Sequence, residues 1–117
     1  MRLRSDLFAA ALIRRAGVEG AAAYLRRRGS PEAGSIFVKI DRLDGRAAVF
    51  GPAPQSETPP EGVDRLFNRL HDEDWIDPAS AEDRLKREIA FDPDLWIIEI
   101  EDRDGRGFIE TMQNSRV

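Results

Sequence analysis

Apolar and polar positions alternate along Trp96 to Glu101, with Trp96, Ile98 and Ile100 on one side and Ile97, Glu99 and Glu101 on the other. Successive strand side chains point to opposite faces, so this pattern predicts a strand with one apolar face and one face that turns acidic towards its end. Asp104-Gly105 follows and suits a type I′ turn, which makes Phe108 and Ile109 the expected start of a returning strand. The same alternation runs from Ser35 to Leu43, with Ile36, Val38 and Ile40 set against Phe37, Lys39 and Asp41. Asp44-Gly45 then predicts a turn, and Arg46 to Phe50 a return. The stretches Ile40 to Val49 and Ile100 to Ile109 share a leading Ile, an acid after it, Asp-Gly-Arg and a closing β-branched residue. They read as two hairpins built with one turn chemistry.

A helical period appears three times. Ser5 is placed as an N-cap, with Asp6 at the positive helix end and Arg14 and Arg15 at the negative one. Leu7, Phe8, Ala11 and Leu12 form the expected buried stripe, and Gly17 the stop. Val63, Leu66, Phe67 and Leu70 fall at i, i+3, i+4 and i+7 and predict a short amphipathic helix. Asp77-Pro78 opens another helix over about 78–90, with Ala81, Leu85 and Ile89 on its buried face. Residues 20–28 are compatible with helix or strand; a strand is preferred because Gly29-Ser30-Pro31 then turns the chain. GPAPQSETPPEG, residues 51–62, is an extended proline-rich loop, and residues 112–117 are expected to fray. The expectation is a single α+β domain over residues 1–117. It consists of an antiparallel sheet of four to five strands built from hairpins, with the N-terminal helix and the 78–90 helix packed on it.

Charge alters this picture in one respect. The net charge is −4 and the pI about 5.1, which disfavours a general nucleic-acid binder. Yet residues 1–29 hold seven arginines against Asp6 and Glu19, or +5, leaving −9 on the remainder. The two parts either attract each other within the fold or offer a basic face to phosphates or an acidic partner. Cysteine is absent, which removes disulfides and thiol chemistry. The apolar run Leu7 to Ile13 is too short for a membrane span and lacks a signal-peptide cleavage pattern.

Three groups are candidates for chemistry. Arg26, Arg27 and Arg28 form the densest basic run and a candidate anion-binding site. Gly51, Pro52, Pro54 and Gln55 are a candidate interaction loop. Glu99, Glu101 and Asp102 form an acidic cluster able in principle to hold a hard cation. Asp102-x-Asp104-Gly105 resembles part of a calcium loop, but the remaining ligands are missing and Arg103 and Arg106 lie among the acids. His71 is the single histidine, with no nucleophile context and no Gly-rich phosphate loop beside it. No catalytic residue, metal site or cofactor is expected.

The segments RRRGSPEAGSIFVKIDRLDG (Arg26 to Gly45), FGPAPQ (Phe50 to Gln55) and FDPDLWIIEIEDRDGR (Phe91 to Arg106) resemble the domain of unknown function 1491 family. That resemblance implies a bacterial, alphaproteobacterial and cytoplasmic protein, and brings no activity, cofactor or catalytic residue with it. The functional expectation is a non-enzymatic protein-binding or adaptor domain with an unknown protein partner. Its alternatives are nucleic-acid or anionic-ligand binding through the arginine-rich face and, third, a metal-dependent enzyme. A homodimer fits, and a membrane role does not.

Overall fold

A computed structural model describes residues 2–112. Two helices, α1 (Ser5–Val18) and α2 (Pro78–Phe91), lie on opposite faces of one sheet. Its strands are β1 (Ala22–Arg27), β2 (Ile36–Asp41), β3 (Ala47–Pro52), β4 (Leu66–Arg69), β5 (Trp96–Glu101) and β6 (Glu110–Thr111). The order across the six-stranded sheet is β1-β5-β2-β3-β4-β6. The expected tail beyond Met112 lies outside the described residues.

The sheet is mixed, which corrects the antiparallel expectation: β5 runs parallel to β2, and β6 parallel to β4. A parallel neighbour needs a long crossover, and α2 provides it. The two similar stretches therefore lie side by side, with Ile40 paired to Ile100 and Asp41 to Glu101. Only the first is a hairpin, β2 to β3. After Glu101 the chain turns through Gly105 (φ 78°) and crosses to the far edge, where β6 joins β4. Asp104 keeps a negative φ, so the type I′ geometry does not form.

Both faces of the central strands are covered. Ile36, Val38, Ile40, Trp96, Ile98 and Ile100 pack towards α1, and Phe37, Val49, Leu95 and Ile97 towards α2. Phe67 explains why residues 63–70 are not helical. It is buried in the α1-side core, its ring centroid 6.0 Å from that of Phe8, while Leu70 packs on the α2 side. Opposite faces three residues apart belong to a strand. Backbone bonds from Ala53 N to Leu66 O (2.9 Å) and Leu70 N to Val49 O (3.0 Å) tie it to β3.

Helix α1 is rotated from the expected stripe. Ser5, Ala9, Leu12 and Ala16 are buried, while Leu7 and Ala11 face solvent. Ser5 is not the cap. Arg4 is, and the Ser5 hydroxyl donates to the Gly34 carbonyl at 2.6 Å. That inward hydroxyl sets the rotation of the helix, because a buried donor needs its acceptor. Gly20, not Gly17, ends α1. At φ 90° it allows Ala21 N to reach Ala16 O (3.0 Å) and its own N–H to reach Gly17 O (3.1 Å), a Schellman motif. Helix α2 follows expectation: Asp77 accepts from Ser80 N at 3.1 Å, Pro78 opens the first turn, and Ala81 and Leu85 are buried.

His71 serves this architecture. Its Nε2 accepts the Val49 N–H at 3.0 Å, so Nδ1, 2.8 Å from the Glu73 carbonyl oxygen, carries the proton. Burial lowers the pKa below the ordinary 6.5. The unfolded chain therefore takes a proton more readily than the folded one. This group's share of stability is complete above about pH 6.5 and is lost as pH falls towards the lower folded value. Denaturant midpoints measured between pH 7.5 and 5.5 are expected to fall with pH, and His71→Gln is expected to flatten that slope.

Candidate functional site

The sequence placed Arg26 and Glu99 in separate candidate sites; the fold joins them. Parallel pairing sets Lys39 beside Glu99, and antiparallel pairing sets Tyr24 on its other side. Helix α2 lowers Glu82 onto this row. Arg26 forks both guanidinium nitrogens onto the Glu82 carboxylate, at 2.7 and 2.8 Å, and Nη1 also reaches Glu99 at 2.9 Å. Lys39 Nζ lies 2.6 Å from Glu82 and 3.7 Å from Glu99. Two cations and two carboxylates thus close a neutral quartet between sheet and helix. The Arg26 fork, with Lys39 beside it, holds Glu82 down at about 2, and Glu82 in turn raises Arg26. Tyr24 donates to Glu101 at 3.2 Å; partial burial, with Glu99 and Glu101 beside it, pushes its phenol up to about 12.

The other members of the arginine run go elsewhere. A register shift between Leu25 and Arg27 turns the strand. Arg27 donates to the Pro93 carbonyl at 2.7 Å, and Arg28 lies 5.2 Å over the Trp96 ring. The three do not converge on one point. The acidic cluster is likewise divided. Asp102 accepts two Arg106 guanidinium bonds (2.9 and 3.0 Å) and the Arg106 N–H (2.8 Å), which hold its carboxyl below the usual range. No group of three metal-ligating side chains converges among the described residues. The signal for the quartet was present in the sequence as Lys39, a cation in the middle of a mostly apolar strand; Glu82, its partner, lies off the expected buried face of Ala81, Leu85 and Ile89.

The proline-rich loop does shape a groove. Gly51 and Pro52 belong to β3 rather than to the loop, and Gly51 leaves room for the Phe37 ring. Pro52, Pro54 and Gln55 line a groove of about 460 Å³ together with Arg2, Pro59 and Arg65.

A second surface escaped the sequence reading. The outer side of α1 exposes Leu7 (54%), Ala10, Ala11, Arg14 and Val18 (77%), one continuous stripe at i, i+3, i+4, i+7 and i+11. A surface helix normally turns a polar face outward. The rotation imposed by Ser5 brings apolar residues there instead.

These features define a small domain with two helices on opposite faces of a mixed six-stranded sheet. The model of a family described as protein of unknown function (DUF1491) matches residues 3–110, and the chain belongs to that family. It is similar to a DUF1491 family protein from Caulobacter crescentus, whose crystal structure superposes with a TM-score of 0.77 at 35% identity, covering 95% of this chain and 98% of that one. It is also similar to protein Atu0922 from A. tumefaciens, whose solution structure gives 0.81 at 34% identity and covers 100% of both chains. No curated protein matches. No helix among the described residues is long and apolar enough to cross a membrane.

Proposed function

We propose that this is a cytoplasmic protein-binding domain whose docking surface is the outer stripe of α1. The carrying observation is that Leu7, Ala10, Ala11 and Val18 are apolar and solvent-facing on one helix side. Arg14 lies within the stripe and Arg15 beside it, and both are exposed. The fitting partner is an acidic amphipathic helix laid along α1, its apolar residues on the stripe and its carboxylates on the arginines. A nucleic-acid reading has less support, because Arg26 is already held by two carboxylates.

The test compares a tagged wild-type bait with Leu7→Glu/Val18→Glu in native lysate, with and without nuclease, and then measures affinity for the captured protein. Both sites are exposed, so the melting temperature should be unchanged. The double variant is expected to bind about tenfold more weakly or worse. Amide shifts on binding should fall on α1. Equal binding by both baits, or capture abolished by nuclease, would overturn the reading.

A further inference from the structure

Of the two edges of the sheet, only one is long. Strand β6 spans two residues, whereas β1 spans six, and among the described residues no strand lies beyond β1. The outward N–H and C=O groups of such an edge are a template for another strand. Charges, proline and bulges normally blunt an edge, and β1 carries them only at its far end. The register shift falls after Leu25, and Arg26, Arg27 and Arg28 follow. Ala22, Ala23, Tyr24 and Leu25 have neither charge nor proline, and Ala22 and Tyr24 are exposed, Tyr24 by 43%. The edge is also polarised. Glu19 stands before its start and Arg28 past its end; both are exposed, and neither forms a salt bridge among the described residues.

We propose that β1 pairs antiparallel with β1 of a second copy of this chain, about a two-fold axis normal to the sheet near Ala23, so that two six-stranded sheets become one continuous sheet. Antiparallel pairing reverses the edge. Glu19 of each copy then meets the Arg28 end of the other, so the contact is isologous and its charges are complementary. The same axis brings the helices together. Helix α1 packs on β1 and β5, so the two copies of α1 lie with axes about 10 Å apart, the spacing of packed helices. Phe8 and Arg15 occupy the α1 flank that faces β4 and β6. Ile13 is half-buried on the opposite flank, the one turned to the seam. Four paired residues and one helix flank make a small interface, for which micromolar affinity is expected. The seam shares no residue with the outer stripe of α1, so either proposal can fail alone.

The test is sedimentation equilibrium of the full chain from about 1 μM to about 1 mM. The mass is expected to rise from 13.2 kDa towards twice that value. Ala22→Lys sets a charge on the seam at an exposed position and should stay monomeric with an unchanged melting temperature. Glu19→Arg and Arg28→Glu should each weaken the dimer about tenfold, and the double variant should restore it. In a mixture of ¹³C-labelled and unlabelled chains, intermolecular NOEs should fall on Ala22 to Leu25 and Ile13. Leu7→Glu/Val18→Glu should dimerise like the wild type. A monomer at every concentration, dimerisation untouched by Ala22→Lys, a charge swap that fails to restore pairing, or NOEs on the outer stripe of α1 would overturn the proposal.

Discussion

Gly29→Ala is expected to lower the melting temperature by about 10–15 °C, a loss of about 3 kcal/mol. A Cβ at Gly29 would sit 2.6 Å from the Leu95 carbonyl carbon and closer still to the Asp94 carbonyl oxygen. Both obstacles are backbone, so no rotamer change relieves them. The segment cannot simply retreat either. Ser30 N donates to Asp94 O at 2.9 Å, the Trp96 indole N–H donates to Ser30 O at 2.7 Å, and Trp96 N donates to Ser35 O at 2.8 Å. Any outward shift breaks these bonds and opens space over Trp96, which is 1% exposed. The control is Gly17→Ala, where nothing lies within 4 Å of the added carbon and the residue is helical. There the change should be neutral or stabilise by about 0.5–1 kcal/mol. Thermal melts of the two variants followed by circular dichroism separate these outcomes, and a wild-type melt for Gly29→Ala would refute the packing of this loop on β5.

The second large effect concerns the quartet. Glu82→Ala is expected to cost about 2–3 kcal/mol at pH 7, somewhat less than the breaking of a fully buried pair because the Glu82 side chain is 34% exposed. The loss falls mainly on Lys39, whose side chain is 6% exposed and which keeps only the longer 3.7 Å contact to Glu99. Acid should have a related effect on the wild type. The Glu82 carboxyl is held at about 2, against an ordinary 4.5. Its contribution is present above about pH 4.5 and is lost as pH falls from there towards 2. Urea midpoints across that window are expected to fall more steeply for the wild type than for Glu82→Ala. Parallel curves would mean that the quartet contributes nothing to folding.

Much of the architecture was legible where one face of an element is apolar and its cap is strong. Asp77-Pro78 announced α2, alternation announced β2 and β5, and the Asp44-Gly45 turn announced the return of β3. What failed depended on partners distant in sequence. Val63 to Leu70 carries apolar residues at spacings that a helix and a strand both satisfy, and only the two cores that receive Phe67 and Leu70 distinguish them. The rotation of α1 was hidden because the decisive contact joins the Ser5 hydroxyl to Gly34, 29 residues away. Asp104-Gly105 announced a turn correctly, but a turn does not dictate what the departing chain pairs with. The candidate charges were misjoined for the same reason. Arg26, Lys39, Glu82 and Glu99 are spread over four elements, so neighbours in sequence were grouped in place of neighbours in space.

The position of β5 has a consequence for how the chain reaches this form. It is inserted between β1 and β2, although it is made after four of the other five strands. As the chain leaves the ribosome, α1 and β1 have no sheet to join, because the edge of β2 that faces them is kept for a strand not yet made. A β2-β3-β4 meander can form early through local contacts, with the N-terminal quarter waiting beside it. Docking of the last long strand then completes two seams at once, one to β2 and one to β1. Assembly is therefore governed by contacts of long sequence separation, the condition under which small domains fold slowly. Until that strand arrives, the nascent chain exposes an unpaired strand edge, the kind of surface that chaperones cover.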